Sequence, residues 1–324
     1  MLQQTTVSAV RGRYDRFLRR FPDLRSLARA REDSVLAAWS GLGYYARARN
    51  LRLAAREILR EQGGRIPRDA ASLRRLPGFG EYTAAAVAAL AFGSRLPAAD
   101  ANVTRVLSRL YGIEGMGGTK KHREAVRMRA AAVLSSGDPG RLTAALMDLG
   151  QLVCFARRPA CGLCPLAEEC VALRGGSPEN IPGRSTKPRP VRLFLAAACA
   201  RRNGSVLLAR RRGTYLDGLW EFPSVDSRSR SAARRMLASK AERLGLRLEY
   251  RPIATTRHTV VNRRLFVEIF PATPTRRSKA GNSRSSRWFT ARQLANAAIP
   301  TLTRKVARAA GFLHPSRSPR SRRA

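Results

Sequence analysis

Four cysteines stand close together in one short segment of the 324-residue sequence, at a spacing suited to a metal centre. They are separated by six, two and five residues and are Cys154, Cys161, Cys164 and Cys170. Four thiolates are the ligand set of both structural zinc sites and iron–sulfur clusters. Zinc sites usually contain two C-x2-C pairs, and this segment contains one, so the spacing favours an iron–sulfur cluster. A chance grouping of free cysteines is the third interpretation, and Cys199, in an apolar run, is expected in the core.

A second candidate for chemistry is a glycine-rich turn between two helical patterns. It consists of Leu76, Pro77, Gly78, Phe79 and Gly80. Its glycines permit a tight turn in which backbone N–H groups point outward at the start of the next helix. Such a helix start can hold a DNA phosphate, because its amides and its dipole act together. An ordinary helix–helix turn is the alternative if the motif is taken alone.

A carboxylate follows this turn at a fixed distance. Asp100 lies twenty residues beyond Gly80 and opens the helical pattern that contains Asn102 and Val103. An aspartate at such a position is commonly only a helix N-cap. Together with the turn and the cysteines it becomes a candidate catalytic group.

The elements that position these residues change character along the chain. Residues 1–175 show helical periodicity interrupted by Gly and Pro, and residues 176–192 form a basic, Pro-rich linker. Residues 193–313 read as strands, one of them over residues 246–254, and a helix, with a hairpin turn at Asn203-Gly204. The tail, residues 314–324, is Arg/Ser-rich and is expected to be disordered.

Charge points to the partner. Lys and Arg number 62 against 22 Asp and Glu, a formal net charge of +40 that attracts a polyanion, with nucleic acid favoured over an anionic membrane surface. No stretch reaches the ~20 apolar residues of a membrane span, and the first ten residues do not read as a signal peptide. We therefore expect a cytoplasmic, nucleoid-associated bacterial protein whose cysteines are reduced.

The turn, the aspartate and the cysteine loop, in that order, resemble the endonuclease III and MutY superfamily of base-excision glycosylases. Three segments are similar to the MutY branch in particular: residues 1–5, residues 41–50 and Met147-Asp-Leu-Gly150. So are residues 206–210 and 218–223 of the second half. The resemblance implies a multidomain protein, with an all-α helix–hairpin–helix glycosylase core and iron–sulfur loop followed by an α+β Nudix-like domain. It also implies a [4Fe–4S] cluster.

The resemblance implies roles for single residues. Asp100 is expected to stabilise the oxocarbenium-like sugar, with Tyr82 and Asn102 lining the same site. Gln4 is the expected wedge in the DNA stack, and Tyr45 is expected to stack near the mispaired purine. A surface glutamine and a core tyrosine are the plainer alternatives.

Two departures from the family pattern concern the chemistry. Lyases of the endonuclease III class carry a Schiff-base lysine where this chain has Tyr82, which predicts glycosylase activity without efficient strand cleavage. The family's protonating glutamate stands two residues before the methionine that here is Met1. We therefore expect either a start assigned downstream of the true one or an impaired gene product.

The second half is similar to the Nudix-like 8-oxoguanine reader of MutY, without the glutamate-rich helix of Nudix hydrolases. Its recognition segment corresponds to His258, Thr259 and Asn262, where Val260-Val261-Asn262 replaces the usual Phe-Ser-His. Strict preference for 8-oxoguanine over guanine is therefore in question.

The sequence thus predicts a monomeric adenine DNA glycosylase that acts on double-stranded DNA containing A:8-oxoguanine or A:G mispairs. Two alternatives remain: a catalytically impaired mispair-binding protein and an endonuclease III-like glycosylase/lyase. They differ in whether adenine is released and in whether the DNA strand is cut.

Overall fold

The computed structural model describes residues 1–183, 190–212, 216–276, 278, 280–283 and 285–313. The chain divides into two compact units, Met1–Arg52 with Pro188–Ala324, and Leu53–Lys187. Within the described residues, no helix has the length and apolar character needed to cross a membrane. The domain boundaries expected from the sequence, at residues 175 and 193, stay a prediction.

The first 174 residues form α-helices joined by short turns, as the periodicity predicts. In chain order these helices are α1 (Val7–Arg20), α2 (Leu24–Arg29), α3 (Glu32–Ala38), α4 (Ala46–Glu61), α5 (Ala70–Arg75), α6 (Glu81–Phe92), α7 (Ala101–Leu110), α8 (Lys120–Ser135), α9 (Pro139–Leu152) and α10 (Val171–Arg174).

Polar N-caps explain where several of these helices begin. The side chains of Thr6, Asp69, Thr119 and Asp138 accept backbone N–H bonds from the first turns of α1, α5, α8 and α9. Each cap satisfies an amide that has no partner inside the helix. The sequence thus specifies the starts of these helices locally.

In the first unit, α1 and α3 share an aromatic core. The Phe17 ring lies 5.0 Å from that of Phe21 and 5.8 Å from that of Trp39, measured between centroids. Leu36 of α3 is also fully buried. These contacts support the loop that follows Trp39 (residues 40–45).

The same unit contains a sheet in which β1 and β7 are parallel neighbours. The strands are β1 (Val191–Arg202), β2 (Ser205–Arg210), β3 (Trp220–Glu221), β4 (Ser224–Ser227), β5 (Leu246–Leu248), β6 (Ala254–Val260), β7 (Arg263–Pro274), β8 (Asn282–Ser283) and β9 (Ser286–Thr290). Their main order is β5-β7-β1-β2-β9-β8, with β6 on β7, β4 on β1 and β3 on β2.

Three helices accompany the sheet: α11 (Arg230–Arg243), α12 (Ala291–Asn296) and α13 (Thr301–Ala309). Ala233 and Leu237 of α11 pack on Ala196, Ala198 and Phe270 of the sheet. This burial covers only one end of that sheet face. The all-α core followed by an α+β domain is confirmed.

Two strand predictions have different outcomes. The hairpin turn is confirmed, because Arg202 pairs with Ser205 across Asn203-Gly204, both with positive φ. The strand expected over residues 246–254 is wrong beyond Leu248. Pro252, which has no N–H for a strand ladder, lies between β5 and β6.

Part of the linker and the whole tail lie outside the described residues. Before residue 184 the chain forms a short 3-10 helix, Pro178–Asn180. Residues 184–189 of the linker and the whole tail, residues 314–324, are not among those described.

Candidate functional site

The glycine-rich turn joins α5 and α6 in the second unit. Leu76 caps α5 and is buried, whereas Pro77 and Phe79 are partly buried and Gly78 and Gly80 are exposed. Gly78 has φ of 81°, the left-handed region that favours glycine. Gly80 is the N-cap of α6, makes no side-chain cap bond, and faces open space where a Cβ would point. This helix start is accessible to an anion from solvent.

The candidate aspartate opens α7 in the same unit. The Asp100 Oδ1 accepts bonds from the backbone N–H of Asn102 at 2.8 Å and of Val103 at 2.7 Å. Its Oδ2 accepts from Asn102 Nδ2 at 3.1 Å. The carboxylate is therefore both an N-cap and held in a fixed orientation, with Asn102 as the second residue of the site.

Tyr82, in the first turn of α6, lies within electrostatic reach of this carboxylate. Burial and the Asp100 charge raise the pKa of its phenol, so the neutral, protonated form is favoured. The side chain remains 37% exposed. Asn102 thus contacts Asp100 directly, and Tyr82 lies close enough for the Asp100 charge to raise its pKa. A shared catalytic role for the three residues stays a prediction.

Arg105, which sequence reasoning missed, links this site to the cysteine loop. Its Nη2 donates to Asn102 Oδ1 at 3.0 Å and its Nε donates to the Cys154 carbonyl at 2.7 Å. Nη2 also donates to the Gly150 carbonyl. A Cβ on Gly150 would lie 2.6 Å from Asn102 Cβ, which explains the glycine in the Met-Asp-Leu-Gly motif. The only sequence signal for Arg105 is its position one helical turn after Asn102.

The four cysteines of the loop line one small cavity. The same cavity is lined by Arg109, which makes contact with the loop. The Arg109 Nη1 lies 3.2 Å from the Cys154 Sγ and donates to the Phe155 carbonyl at 2.6 Å. Burial, followed by the charges of the three neighbouring cysteines, raises the pKa of the Cys161 thiol.

Four cysteine thiolates around one cavity are the ligand chemistry of an iron–sulfur centre, and these residues therefore fit such a group. Cys199 is 2% exposed in β1, in the core as predicted.

In the first unit, the two residues expected to probe DNA behave differently. Gln4 is exposed at a turn and has φ of 52°, an unusual conformation for a residue with a Cβ. Tyr45 is 6% exposed, and its hydroxyl donates to the Ile299 carbonyl at 3.2 Å. This burial does not suit a stacking role. The neighbouring Tyr44 is 50% exposed and has φ of 44°.

Arg47 connects the segments that carry Gln4 and Tyr44. Its Nη1 donates to the carbonyl oxygens of Met1, at 2.8 Å, and Gln3, and its Nη2 donates to Thr5 Oγ1 at 2.8 Å. Nη2 also donates to the carbonyl oxygens of Leu42 and Gly43, at 3.1 and 3.3 Å, in the loop of residues 40–45.

The same guanidinium lies over two rings. Its centre is 5.4 Å from the Trp39 ring and 5.6 Å from the Tyr44 ring. Such a cation–π arrangement attracts the charge to the ring faces while the N–H groups bond in the guanidinium plane. No sequence motif marked this residue as an organiser of the site.

The residues that the sequence predicts for lesion recognition lie at the β6–β7 hairpin of the first unit. Val260 pairs with Arg263, so Val261 and Asn262 form the two-residue turn. Val261 is 65% exposed with φ of 53°, and Thr259 and Asn262 are exposed. His258 is half-buried, and burial followed by the charge of Lys305 lowers its pKa. Asn262, in the turn, is therefore exposed to solvent, whereas His258, in β6, is only partly exposed.

Three segments of the chain match known families. Residues 1–131 match the HhH-GPD superfamily base excision DNA repair proteins, and residues 154–170 match the iron–sulfur binding domain of endonuclease III. Residues 195–309 match the NUDIX domain. The matches follow the order of the turn, the cysteines and the sheet in this chain.

Similar proteins cover most of the chain. The adenine DNA glycosylase of Mus musculus is 30% identical over 359 residues, which span 95% of this chain and 69% of its own. That of Homo sapiens is 30% identical over 365 residues, 95% of this chain and 66% of its own. That of Mycolicibacterium smegmatis is 40% identical over 167 residues, 52% of this chain and 56% of its own.

Sequence identity of 30% over 95% of this chain, together with the order of the three family matches, leads to one conclusion. The chain belongs to the adenine DNA glycosylase family and is a base-excision repair DNA glycosylase with an iron–sulfur binding segment and a NUDIX domain.

Proposed function

We propose that this protein removes adenine from duplex DNA in which the adenine is mispaired with 8-oxoguanine or guanine. The observation that carries the proposal is the Asp100 carboxylate, oriented by Asn102 and within electrostatic reach of Tyr82. Tyr82 stands at the start of the helix whose preceding turn is open to an anion. A DNA phosphate at the turn would bring a flipped nucleotide toward the carboxylate.

The reaction is hydrolysis of the N-glycosidic bond. The bond breaks with its electron pair passing to the adenine, which takes up a proton, and the sugar becomes an oxocarbenium-like cation at C1′. The Asp100 carboxylate stabilises this cation. Water then adds to C1′ and loses a proton, which leaves an abasic site. Asn102 keeps the Asp100 Oδ2 directed by its amide bond.

The DNA is held and probed by residues outside this carboxylate site. The exposed turn at Gly78 and Gly80 binds a phosphate through backbone amides. Gln4 enters the stack beside the flipped base. The exposed ring of Tyr44, rather than the buried ring of Tyr45, stacks on a neighbouring base.

The residue at position 82 sets the reaction class. A phenol, unlike an amine, cannot form a Schiff base with the opened sugar, so the abasic site is left intact. The product is an abasic strand that breaks only on later alkaline treatment. This separates the proposal from an endonuclease III-like lyase.

The cofactor is a [4Fe–4S] cluster held by Cys154, Cys161, Cys164 and Cys170. The cavity lined by all four thiols supports this assignment, and the thiols fit a cubane with one thiolate per iron. When bound, the cluster cross-links the loop of residues 154–170. Arg109 and Arg105 fasten that loop to α7.

The orphan base is read at the β6–β7 turn. The exposed amide of Asn262 offers a donor and an acceptor to the mispaired purine, and the exposed Thr259 of β6 lies two residues before the turn. Val261 replaces a polar residue at the tip, so discrimination between 8-oxoguanine and guanine is weak. Rates on the two substrates should differ by less than about tenfold.

Single-turnover excision from a labelled duplex with one A:8-oxoguanine pair tests the function. Asp100→Asn should abolish excision and keep binding, because the amide keeps the shape and the cap. Asp138→Asn is the matched control, since Asp138 also caps a helix, through the Arg141 N–H at 3.0 Å. Mispair binding without any adenine release by the unaltered chain would favour the impaired, binding-only alternative.

A further inference from the structure

One end of a sheet face in the first unit carries aromatic and cationic side chains in register. Phe194 of β1 pairs with Phe266 of β7, and Phe266 pairs with Arg257 of β6. Side chains of directly paired residues lie on the same face of a sheet. These three side chains therefore form one row across three strands.

A second row lies beside the first on the same face. Arg192 is two residues before Phe194, Arg264 is two residues before Phe266, and Thr259 is two residues after Arg257. Because side chains alternate with a period of two, both rows face the same way. The second row is the one nearer the β6–β7 turn.

Helix α11 covers the other end of this face and reaches the first row at Phe194, where the Arg230 guanidinium lies 5.4 Å from the ring centroid. It packs on Ala196, Ala198 and Phe270, further along β1 and β7. Arg192, Arg257 and Arg264 are exposed. We call the two rows, residues 192, 194, 257, 259, 264 and 266, the hairpin platform.

Aromatic rings hold two of the platform arginines. The Arg192 guanidinium lies 4.4 Å from the Phe266 centroid and 5.2 Å from that of Phe194. The Arg257 guanidinium lies 5.4 Å from the Phe266 centroid. A guanidinium stacked on a ring keeps its N–H edge available, in the geometry that suits a phosphate.

The carboxylate near these arginines, that of Glu268 on β7, pairs with arginines of α11 instead. Glu268 pairs with Arg234 at 2.8 Å and with Arg230 at 3.5 Å, both on α11. Among the residues that the structure describes, no carboxylate pairs with Arg192, Arg257 or Arg264. Three exposed cations thus stand at the end of this sheet face that is nearer the turn carrying Asn262.

We propose that the hairpin platform binds the phosphodiester backbone of the duplex that flanks the mispair. The inference rests on the proposed function, because the adjoining turn reads the orphan base. Neighbouring strands are about 4.8 Å apart, so the three arginines span roughly 10 Å across the sheet. A duplex carries one negative charge per about 1.7 Å of its axis and offers several phosphates over that span.

The test is the salt dependence of duplex binding by the full chain. We would measure the dissociation constant by fluorescence anisotropy, from low to high salt, with an A:8-oxoguanine duplex. The variant R192Q/R257Q/R264Q removes the platform charges. The matched control R235Q/R247Q/R251Q removes three other exposed arginines, for which the described structure records no ion pair.

The platform variant should lower the slope of log affinity against log salt by about two to three, one per lost phosphate contact. The control should change it by less than one. R192K/R257K/R264K, which keeps the charge, should retain most of the slope and shows whether loss of folding causes the effect. Circular dichroism melting checks each variant.

Equal slopes for the platform and control variants would overturn the proposal. A platform variant that binds the duplex normally but loses binding to phosphatidylserine vesicles would also overturn it, in favour of a membrane surface. If the unaltered chain does not bind duplex DNA, the proposed function itself fails, and the platform with it. If it binds and only the platform has no effect, the function stands and the platform alone is wrong.

Discussion

The Arg47 guanidinium donates to Thr5 Oγ1 at 2.8 Å and thereby ties the segment that contains Gln4 to the start of α4. The same group bonds to Leu42 and Gly43 in the loop before Tyr44. One side chain therefore fixes both segments proposed to probe DNA. Several of its acceptors are backbone carbonyls, which lose a hydrogen-bond donor if the guanidinium group is removed.

The first prediction follows from this contact. Arg47→Lys keeps the charge but loses the planar guanidinium and most of its N–H donors, so Gln4 and Tyr44 should lose their fixed positions. Excision should slow by about tenfold or more, and unfolding free energy should fall by about 2 kcal/mol. Single-turnover kinetics and thermal melting measure the two effects. Arg56→Lys, an exposed position on the same helix, is the control; equal effects at both positions would contradict the role of Arg47.

The second prediction distinguishes the two adjacent tyrosines. Tyr44→Ala should weaken binding to the mispaired duplex by about 1–3 kcal/mol, the value of one base–aromatic stack, with little change in melting. Tyr45→Ala should mainly lower stability, because it empties a buried site and removes the bond to Ile299. Anisotropy and melting curves on both variants check this. A binding loss confined to Tyr45→Phe, which removes only the hydroxyl, would reverse the assignment.

The third prediction concerns the link between the carboxylate and the cysteine loop. Arg105→Gln breaks the bonds to Asn102 Oδ1 and the Cys154 carbonyl. The excision rate should fall by roughly tenfold to a hundredfold, and the iron content should fall or become sensitive to salt. Arg123→Gln, at an exposed residue that donates to the nearby Gly118 carbonyl at 2.8 Å, should leave both unchanged. Normal excision together with normal iron in Arg105→Gln would show that the bridge is dispensable.

The fourth prediction concerns the cofactor. The purified protein should be brown and contain about four irons per chain. Cys161→Ser should lower that content, whereas Cys199→Ser should not, since Cys199 is buried in β1. Iron and sulfide analysis of protein prepared without air checks this. Stoichiometric zinc without iron or sulfide would refute the cluster.

The fifth prediction separates excision from strand cleavage. Product DNA should stay intact until alkali is added, because Tyr82 cannot form a Schiff base. Borohydride should trap little covalent complex. Tyr82→Lys places an amine at the same position of α6, near Asp100, and should increase trapping. Efficient trapping by the unaltered chain would point instead to a lyase.

The sequence alone determined those features that depend only on residues close together along the chain. The cysteine spacing, the glycine-rich turn and the N-cap at Asp100 are local patterns, and a local pattern dictates a cap, a turn or a ligand loop without reference to the rest of the chain. The hairpin at Asn203-Gly204 is of the same kind. The family resemblance was carried by these motifs for the same reason.

Only the tertiary structure decided which side chains are accessible and which distant groups meet. Tyr44 and Tyr45 are equivalent in the sequence, and burial against the Ile299 carbonyl, over 250 residues away, removes Tyr45 from the surface. The bridge through Arg105 to Cys154 joins residues separated by 49 positions. No periodicity encodes such pairings, because they arise when elements that are far apart in the chain pack together.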